Sequence, residues 1–205
     1  MSSGCVNPIR ITPDLSSLLY KNKSSFTMFF ALGYYSYIVP NKNLMEYEEM
    51  DIKEIQSLVI QKVNRDTELA KRLLDFIKNF SWLEVKEHTM RTIENWDFEA
   101  WETPFVAMVD DCIVGMVTIM KSDYYPLPEI FPWISTLFVS EEYRGNRISE
   151  KLINFANQYA KEIGFDKTYI PTEYIGLYEK FGYSYVRDIV NYGNGIDRLY
   201  AKELN

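Results

Sequence analysis

Apolar residues recur at helical spacing through the first regular part of the chain, which begins near residue 45. Repeats of three and four residues place apolar side chains on one face of a helix, so this stretch predicts three amphipathic helices after a short strand at residues 45–50. Asp66 is the expected N-cap of the second helix. The apolar positions of the three helices are Ile52, Ile55, Leu58, Val59 and Val63, then Leu69, Leu73, Leu74, Phe76, Ile77 and Phe80, then Val85, Thr89, Ile93 and Trp96.

The pattern changes near residue 103, where apolar runs are bounded by turn residues. Residues 103–109 and 112–120, joined at Asp110-Asp111, predict a β-hairpin. A strand at 133–139 then leads into a helix that Gly164 can end, because glycine readily adopts the left-handed conformation past a helix. The remaining predicted elements are that helix at 148–163, a strand at 167–171, a short helix at 177–181 ending at Gly182, and strands at 183–192 and 198–202.

The 205 residues are interpreted as an N-terminal extension followed by one domain. Residues 26–39 are apolar and aromatic but contain Gly33 and Ser36, and no run reaches the roughly 18 apolar residues that span a membrane. The stretch before them is long and contains Asp14, which argues against a signal peptide. We therefore assign residues 1–44 to an extension of open role and residues 45–205 to the domain.

The chain is acidic, with 22 Lys and Arg against 29 Asp and Glu and a formal charge of −7. This charge argues against nucleic acid or an anionic membrane as a partner and favours a cationic small molecule or peptide. The single histidine, His88, and the widely separated Cys5 and Cys112 offer neither a metal-ligand spacing nor a disulfide framework. We therefore expect no metal and a cytoplasmic location, with a homodimer as one option for the oligomeric state.

The turn between the strand at 133–139 and the next helix carries the clearest candidate chemistry. Backbone N–H groups and the positive end of a helix dipole converge there, and two guanidinium groups match phosphate oxygens, so a pyrophosphate is the expected ligand. A plain helix entry with solvated arginines is the alternative interpretation. The residues of this loop are Arg144, Gly145, Asn146, Arg147, Ile148 and Ser149.

This loop and a second segment together resemble the GCN5-related N-acetyltransferase (GNAT) superfamily over residues 45–205. That family holds the pyrophosphate of acetyl-CoA in a loop of the form Arg/Gln-x-x-Gly-x-Gly/Ala before its third main helix, and residues 144–149 align with it. In this chain Arg147 replaces the central glycine, and Ser149 replaces the terminal glycine or alanine. Downstream, Gly-Leu-Tyr-Glu-Lys-Phe-Gly-Tyr at 176–183 is similar to the family's Leu-Tyr-Glu-Lys-x-Gly-Phe segment.

The resemblance implies an α/β (α+β) fold of the acyl-CoA N-acyltransferase type, with a mixed, twisted central sheet and helices on both faces. The central strands at 133–139 and 167–171 should splay apart to admit acetyl-CoA as cosubstrate. Phe138 and Val139 occupy the place where the family's strand offers backbone groups to the pantetheine arm and one amide to the thioester oxygen. The implied activity is direct transfer of the acetyl group to a primary amine of a small molecule or peptide.

Tyr178 is the residue that this family segment favours as general acid. Departure of CoA leaves a thiolate, which a neutral phenol within hydrogen-bond reach can protonate. Aromatic packing between helix and sheet is the alternative role for Tyr178. Glu129 and Glu173 are candidates for the general base that removes a proton from the acceptor ammonium.

The acceptor and the reaction leave alternatives open. Asp123 and Glu129, with an aromatic group formed by Tyr124, Tyr125, Phe131 and Trp133, could attract and hold a cationic amine. One alternative function is a catalytically inactive CoA-binding sensor or interaction module, which the substitutions at Arg147 and Ser149 favour. Another is transfer of a longer acyl or aminoacyl group, which the space beside Phe138 would decide.

Overall fold

The structure is a computed structural model that describes residues 57–205. The expected extension at 1–44, the strand at 45–50 and the start of the first predicted helix lie outside the described residues. The described part contains three helices and seven strands. They are β1 (Val59–Lys62), α1 (Glu68–Ile77), α2 (Leu83–Asn95), β2 (Thr103–Val109), β3 (Cys112–Met120), β4 (Trp133–Val139), α3 (Ile148–Glu162), β5 (Lys167–Thr172), β6 (Ser184–Val190) and β7 (Ile196–Glu203), with 3-10 turns at Glu141–Tyr143 and Tyr178–Phe181.

The strands form one mixed sheet in the order β1-β2-β3-β4-β5-β7-β6. β4 and β5 are parallel and pair at Trp133 opposite Tyr169, where the Tyr169 N–H donates to the Pro132 carbonyl at 3.0 Å. All other neighbouring strands are antiparallel. Beyond Trp133 the two central strands diverge and leave an opening, which we call the β4–β5 gap. The predicted mixed sheet with splayed central strands is therefore confirmed.

Helix α3 covers one face of the sheet and forms the larger core with it. Its apolar residues fall at helical spacing, so one side of the helix faces the strands and the other faces solvent. Tyr178 and Tyr200 belong to the same core and pack at its end near β5 and β7. The buried apolar residues of α3 are Ile148, Leu152, Ile153, Ala156 and Ala160.

The other face of the sheet is covered in two parts. Helices α1 and α2 pack over β2, β3 and the end of β4, with Leu73, Ile77 and Ile93 buried. Beside them, the loop at 121–132 covers the start of β4 and its neighbours around the fully buried Trp133. Helices therefore lie on both faces, as the sequence predicts.

Two local predictions at the start of the described chain are wrong. Residues 59–62 form the edge strand β1, not part of a helix, because their backbone pairs with β2 along the whole strand. Val63 continues this pairing, with its N–H donating to the Pro104 carbonyl at 3.0 Å. The N-cap of α1 is Thr67, whose hydroxyl accepts from the Ala70 N–H at 3.2 Å, whereas Asp66 precedes the cap with φ of 58°.

Neither a membrane-spanning helix nor a metal-binding group of side chains occurs within residues 57–205. No helix there combines the length and the apolar character needed to cross a membrane. In the same range, no three or more His, Cys, Asp and Glu side chains are grouped so that they could hold a metal ion.

Candidate functional site

The end of β4 directs the backbone groups of Val139 into the β4–β5 gap. The Phe138 carbonyl points toward β3, since it lies 3.0 Å from the position that a Cβ atom on Gly115 would take. The C=O and N–H of a trans peptide point in opposite directions, so the Val139 N–H points into the gap. The Ser140 N–H donates to the Val114 carbonyl on β3 at 2.9 Å, which by the same geometry directs the Val139 carbonyl into the gap.

The side chains of Phe138 and Val139 enter opposite cores. Phe138 stacks on Phe80 with ring centroids 4.0 Å apart, and Phe76 meets the same ring edge-on at 5.9 Å. Val139 packs beneath α3 in the core that also contains Tyr178. Aromatic rings from the end of α1 therefore fill the space beside Phe138.

The loop between β4 and α3 presents several backbone N–H groups. Gly145 has φ of 85°, and Arg147, the N-cap of α3, has φ of 56° in the left-handed region. Arg147 gives the helix no side-chain cap, so the first N–H groups of α3 have no acceptor in the helix or its cap. Glycine adopts the left-handed conformation most readily, which explains why the family motif has glycine where this chain has Arg147.

The other loop residues hold this backbone in place. Asn146 donates from its side-chain amide to the Tyr143 carbonyl at 3.0 Å. Ile148 is 2% exposed and anchors the first turn of α3 in the core, and Ser149 is half-buried beside it. The Asn146 hydrogen bond and the burial of Ile148 therefore fix the orientation of the backbone N–H groups in this loop.

Both arginines of the loop make contacts within the chain. Arg144 donates from Nε to the Val139 carbonyl at 3.1 Å, and its guanidinium lies 5.9 Å from the centre of the Phe138 ring. Arg147 donates to both carboxylate oxygens of Glu150, at 2.6 and 2.9 Å. This contact lowers the pKa of the Glu150 carboxyl, which lies in the first turn of α3, where the helix dipole also favours negative charge. Glu150 therefore competes with any phosphate for Arg147 and for the helix terminus.

Tyr178 begins the 3-10 turn that follows β5 and is 8% exposed. The rings of Phe181, Tyr183 and Tyr200 surround it at centroid distances of 6.1, 6.3 and 6.5 Å. Its hydroxyl forms no hydrogen bond with any described residue. Burial, and to a smaller extent Tyr174, raises the pKa of Tyr178 to about 12, so the phenol keeps its proton at neutral pH. The ring is packed in the core and its hydroxyl has no partner within residues 57–205, so the structure is compatible with either sequence interpretation of Tyr178.

The two candidate general bases have a different setting. Glu129 lies in the loop at 121–132 and Glu173 follows β5, and both are exposed. Neither forms a hydrogen bond or an ion pair with a described residue.

Two residues shape this region that the sequence analysis did not assign. Gly115 allows β3 to lie close against the Phe138 carbonyl, and its signal was a glycine within an apolar strand. Glu150 pairs with Arg147. The sequence feature that could have indicated this role is an acidic residue in the first turn of a predicted helix.

Comparisons with known proteins agree with this geometry. The sequence model of the acetyltransferase (GNAT) family matches residues 69–183. An aminoglycoside 6'-N-acetyltransferase solved with coenzyme A is 17% identical, with a TM-score of 0.56 over 72% of this chain and 97% of that chain. An aminoglycoside 6'-acetyltransferase type Ii is 20% identical (TM-score 0.58, 72% and 97% covered), and a GNAT-family acetyltransferase from Staphylococcus aureus is 20% identical (TM-score 0.54, 73% and 100% covered). No curated relative matches the sequence significantly.

Proposed function

The chain belongs to the GNAT acetyltransferase family, and on this premise we propose that it transfers the acetyl group of acetyl-CoA directly to a primary amine of a small molecule or peptide. The observation that carries the proposal is the β4–β5 gap, which opens beside the Val139 N–H. An uncapped helix N-terminus begins a few residues further along the chain. A thioester oxygen needs an oriented donor, and a pyrophosphate needs several, and this part of the chain offers both.

Acetyl-CoA brings the activated acetyl thioester, and the chain's own residues would bind and orient it. We assign the pyrophosphate to the N–H groups of the 144–149 loop and the first turn of α3. Arg144, which donates to the Val139 carbonyl, adds a positive charge to this proposed pyrophosphate site. The Val139 N–H, directed into the gap, is the proposed donor to the thioester oxygen.

Tyr178 is the proposed general acid for the departing CoA thiolate. Its raised pKa keeps the phenol protonated, and its hydroxyl has no competing hydrogen bond among the described residues. Glu129 and Glu173 stay proposals for the base that deprotonates the amine, since both are exposed and unpaired within residues 57–205.

The packing beside Phe138 favours acetyl over a longer acyl group. Phe80 stacks on this ring at 4.0 Å, so the space in which a longer chain would extend is occupied. The net charge of −7 favours a cationic acceptor over an anionic one. Two structural neighbours are named as aminoglycoside acetyltransferases, which makes aminoglycosides a sensible part of an acceptor panel. The same proposal includes a cytoplasmic location and a homodimer.

A catalytically inactive CoA-binding module is the second candidate function. The bidentate contact of Arg147 with Glu150 favours it, because that arginine is already paired at the proposed pyrophosphate site. Release of free thiol from acetyl-CoA in the presence of a panel of amines separates the two functions. Thiol release that depends on one of the amines supports the transferase.

CoA is expected to bind the full chain, and Arg144→Glu is expected to weaken that binding at least about tenfold, because it replaces a phosphate-binding cation by an anion. Isothermal titration calorimetry measures the affinity, and the melting temperature should rise with CoA concentration by mass action. Arg187→Glu on the exposed face of β6 changes the net charge equally and serves as the control. Absence of both heat and thermal shift at millimolar CoA would contradict the assignment.

Replacing Glu150 by glutamine is expected to strengthen CoA binding by about three- to tenfold, because the change removes a negative charge from the helix N-terminus and releases Arg147. Calorimetry on the same CoA titration gives the ratio of affinities. Glu162→Gln, at the other end of α3, removes the same charge away from the loop and should leave the affinity unchanged. Weaker CoA binding in Glu150→Gln would show that Glu150 supports the loop instead of competing for it.

A further inference from the structure

A polar cluster lies on the face of the sheet opposite α3, where the loop at 121–132 meets the β6–β7 hairpin. We call it the acidic cluster. Two carboxylates, Asp123 from the loop and Asp197 from β7, are its charged members. Its other members are Tyr125, Ser135 and Asn191.

Hydrogen bonds fix both carboxylates within the cluster. Asp123 accepts from the Tyr124 N–H at 2.6 Å, and the nearby Ser135 hydroxyl acts to lower the pKa of its carboxyl. Asp197 Oδ2 accepts from the Tyr125 hydroxyl at 2.8 Å and from the Asn191 side-chain amide at 3.0 Å. The positions of the two carboxylates are therefore set by neutral donors.

The negative charge of the cluster is poorly compensated. Neither Asp123 nor Asp197 forms an ion pair with a described residue. Burial raises the pKa of the Asp123 carboxyl, and Asp197 raises it further, whereas His88 on α2 acts to lower it. Burial and the same two carboxylates raise the pKa of Tyr125, so its phenol stays protonated as a donor. A bound cation would relieve the repulsion between two carboxylates in a partly buried place.

A buried hydroxyl beside the cluster has no hydrogen-bond partner among residues 57–205. Thr118 lies directly opposite Ser135 on the neighbouring strand, so the two side chains share one face of the sheet. That hydroxyl belongs to Thr118, which is 3% exposed and whose Oγ1 accepts from no donor and donates to no acceptor within the described residues. Buried hydroxyls almost always have a partner. An ammonium group, which carries three donors and no acceptor, fits two carboxylates and one free hydroxyl oxygen.

Exposed aromatic rings flank the same place. Tyr124 and Tyr192 meet edge to face with centroids 5.7 Å apart, and their exposed fractions are 59% and 64%. Tyr125 stacks on the buried Trp133 at 5.6 Å. Ring faces attract organic cations, so the approach to the cluster suits an alkylammonium better than a metal ion.

We propose that the acidic cluster is a binding subsite for a second ammonium group of the acceptor, so that the acceptor is a diamine or polyamine and not a monoamine. This inference rests on the proposed transferase function, because the first amine is the one acetylated near Val139. Ser135 and Val139 lie opposite Thr118 and Gly115, three residues apart on β3, so the bulge of β4 at Thr136 brings them to within about 10 Å of each other. The subsite therefore selects an acceptor whose two cationic groups are separated by a chain of several atoms.

The test compares octanediamine with octylamine on the full chain, because the two differ in the second ammonium alone. Calorimetry gives the affinity of each amine without cosubstrate, and thiol release from acetyl-CoA gives kcat/KM. The wild-type protein is expected to favour the diamine by about tenfold or more in both measurements. Asp197→Asn, which keeps the size and removes the charge, should abolish that preference and leave octylamine turnover within a few-fold. Asp188→Asn on the exposed part of β6 is the matched control and should leave both the diamine preference and the octylamine turnover unchanged.

Thr118→Val separates binding from folding. The Thr118 hydroxyl has no partner in the part of the chain that the structure describes, so its replacement by a methyl group should leave the melting temperature equal or higher. Weaker diamine binding in this variant supports the subsite, and unchanged binding contradicts it. Equal affinity for the two amines, or a preference for the diamine that remains in Asp197→Asn, overturns the proposed subsite. If thiol release still depends on the amine in that case, the proposed transferase function stands. Diamine binding that depends on Asp197 without any acetyl transfer supports the subsite and overturns the proposed function.

Discussion

Tyr178→Phe is expected to lower the turnover number by about 10- to 10⁴-fold while CoA affinity stays within a few-fold. The variant keeps the ring that packs against Phe181, Tyr183 and Tyr200 and loses the hydroxyl alone. That hydroxyl has no hydrogen bond to a described residue, so the fold should not be weakened. Steady-state thiol release at saturating amine, together with a CoA titration, measures both quantities.

The alkaline side of the pH profile gives an independent check on Tyr178. Burial raises its pKa to about 12, so the acid form persists well above the pH at which an ordinary phenol ionises. The turnover number should therefore show no loss from Tyr178 between pH 8 and about 10.5. Tyr174→Phe, in an exposed neighbour, is the control and should keep wild-type turnover. An unaltered rate in Tyr178→Phe would mean that solvent protonates the thiolate.

Phe80→Ala is expected to lower the free energy of unfolding by about 3–5 kcal/mol. Phe80 is 3% exposed, and its ring lies between the end of α1 and Phe138, so its removal leaves a cavity against β4. Urea unfolding followed by circular dichroism measures the loss. Phe155→Ala on α3, where the ring is 38% exposed, is the control and should cost clearly less. A loss below about 1 kcal/mol for Phe80→Ala would mean that the surrounding rings collapse into the space.

Strong local signals explain why most of the fold was predictable. The β2–β3 hairpin is marked by two apolar runs around Asp110-Asp111, and both aspartates adopt positive φ, 48° and 66°, as a tight hairpin turn requires. The end of α3 was equally clear, because Gly164 adopts φ of 98° just past the helix. In each case the residues that decide the structure are neighbours in sequence.

The edge strand β1 was mispredicted because its structure depends on a distant partner. The apolar residues from Ile52 to Val63 fit helical spacing, and nothing nearby contradicts a helix. The backbone of β1 pairs instead with β2, about 45 residues later, with Val59 opposite Met108. Single-sequence periodicity cannot detect such pairing, and tertiary contacts override it.

Only those residues of the candidate site that belong to a recognisable sequence motif could be predicted. The segment 144–149 and Tyr178 could be named from sequence because the resemblance includes them. The motif alone does not show that Arg147 adopts a left-handed backbone conformation or that its guanidinium pairs with Glu150. Asp123 and Asp197 meet because the loop at 121–132 folds across β7, and no spacing rule relates residues so far apart.

The sparse pairing of β4 with β5 divides the sheet into two half-sheets that are joined at Trp133. Two elements bridge the halves. Helix α3 does so on one face of the sheet. On the other face, the loop at 121–132 contacts the β6–β7 hairpin, where the Tyr192 N–H donates to the Tyr124 carbonyl. Asp123 belongs to this loop and Asp197 to the opposite half, so a cation between them would tie the halves together. The width of the gap therefore depends on the packing of these two bridging elements, because β4 and β5 pair only at Trp133.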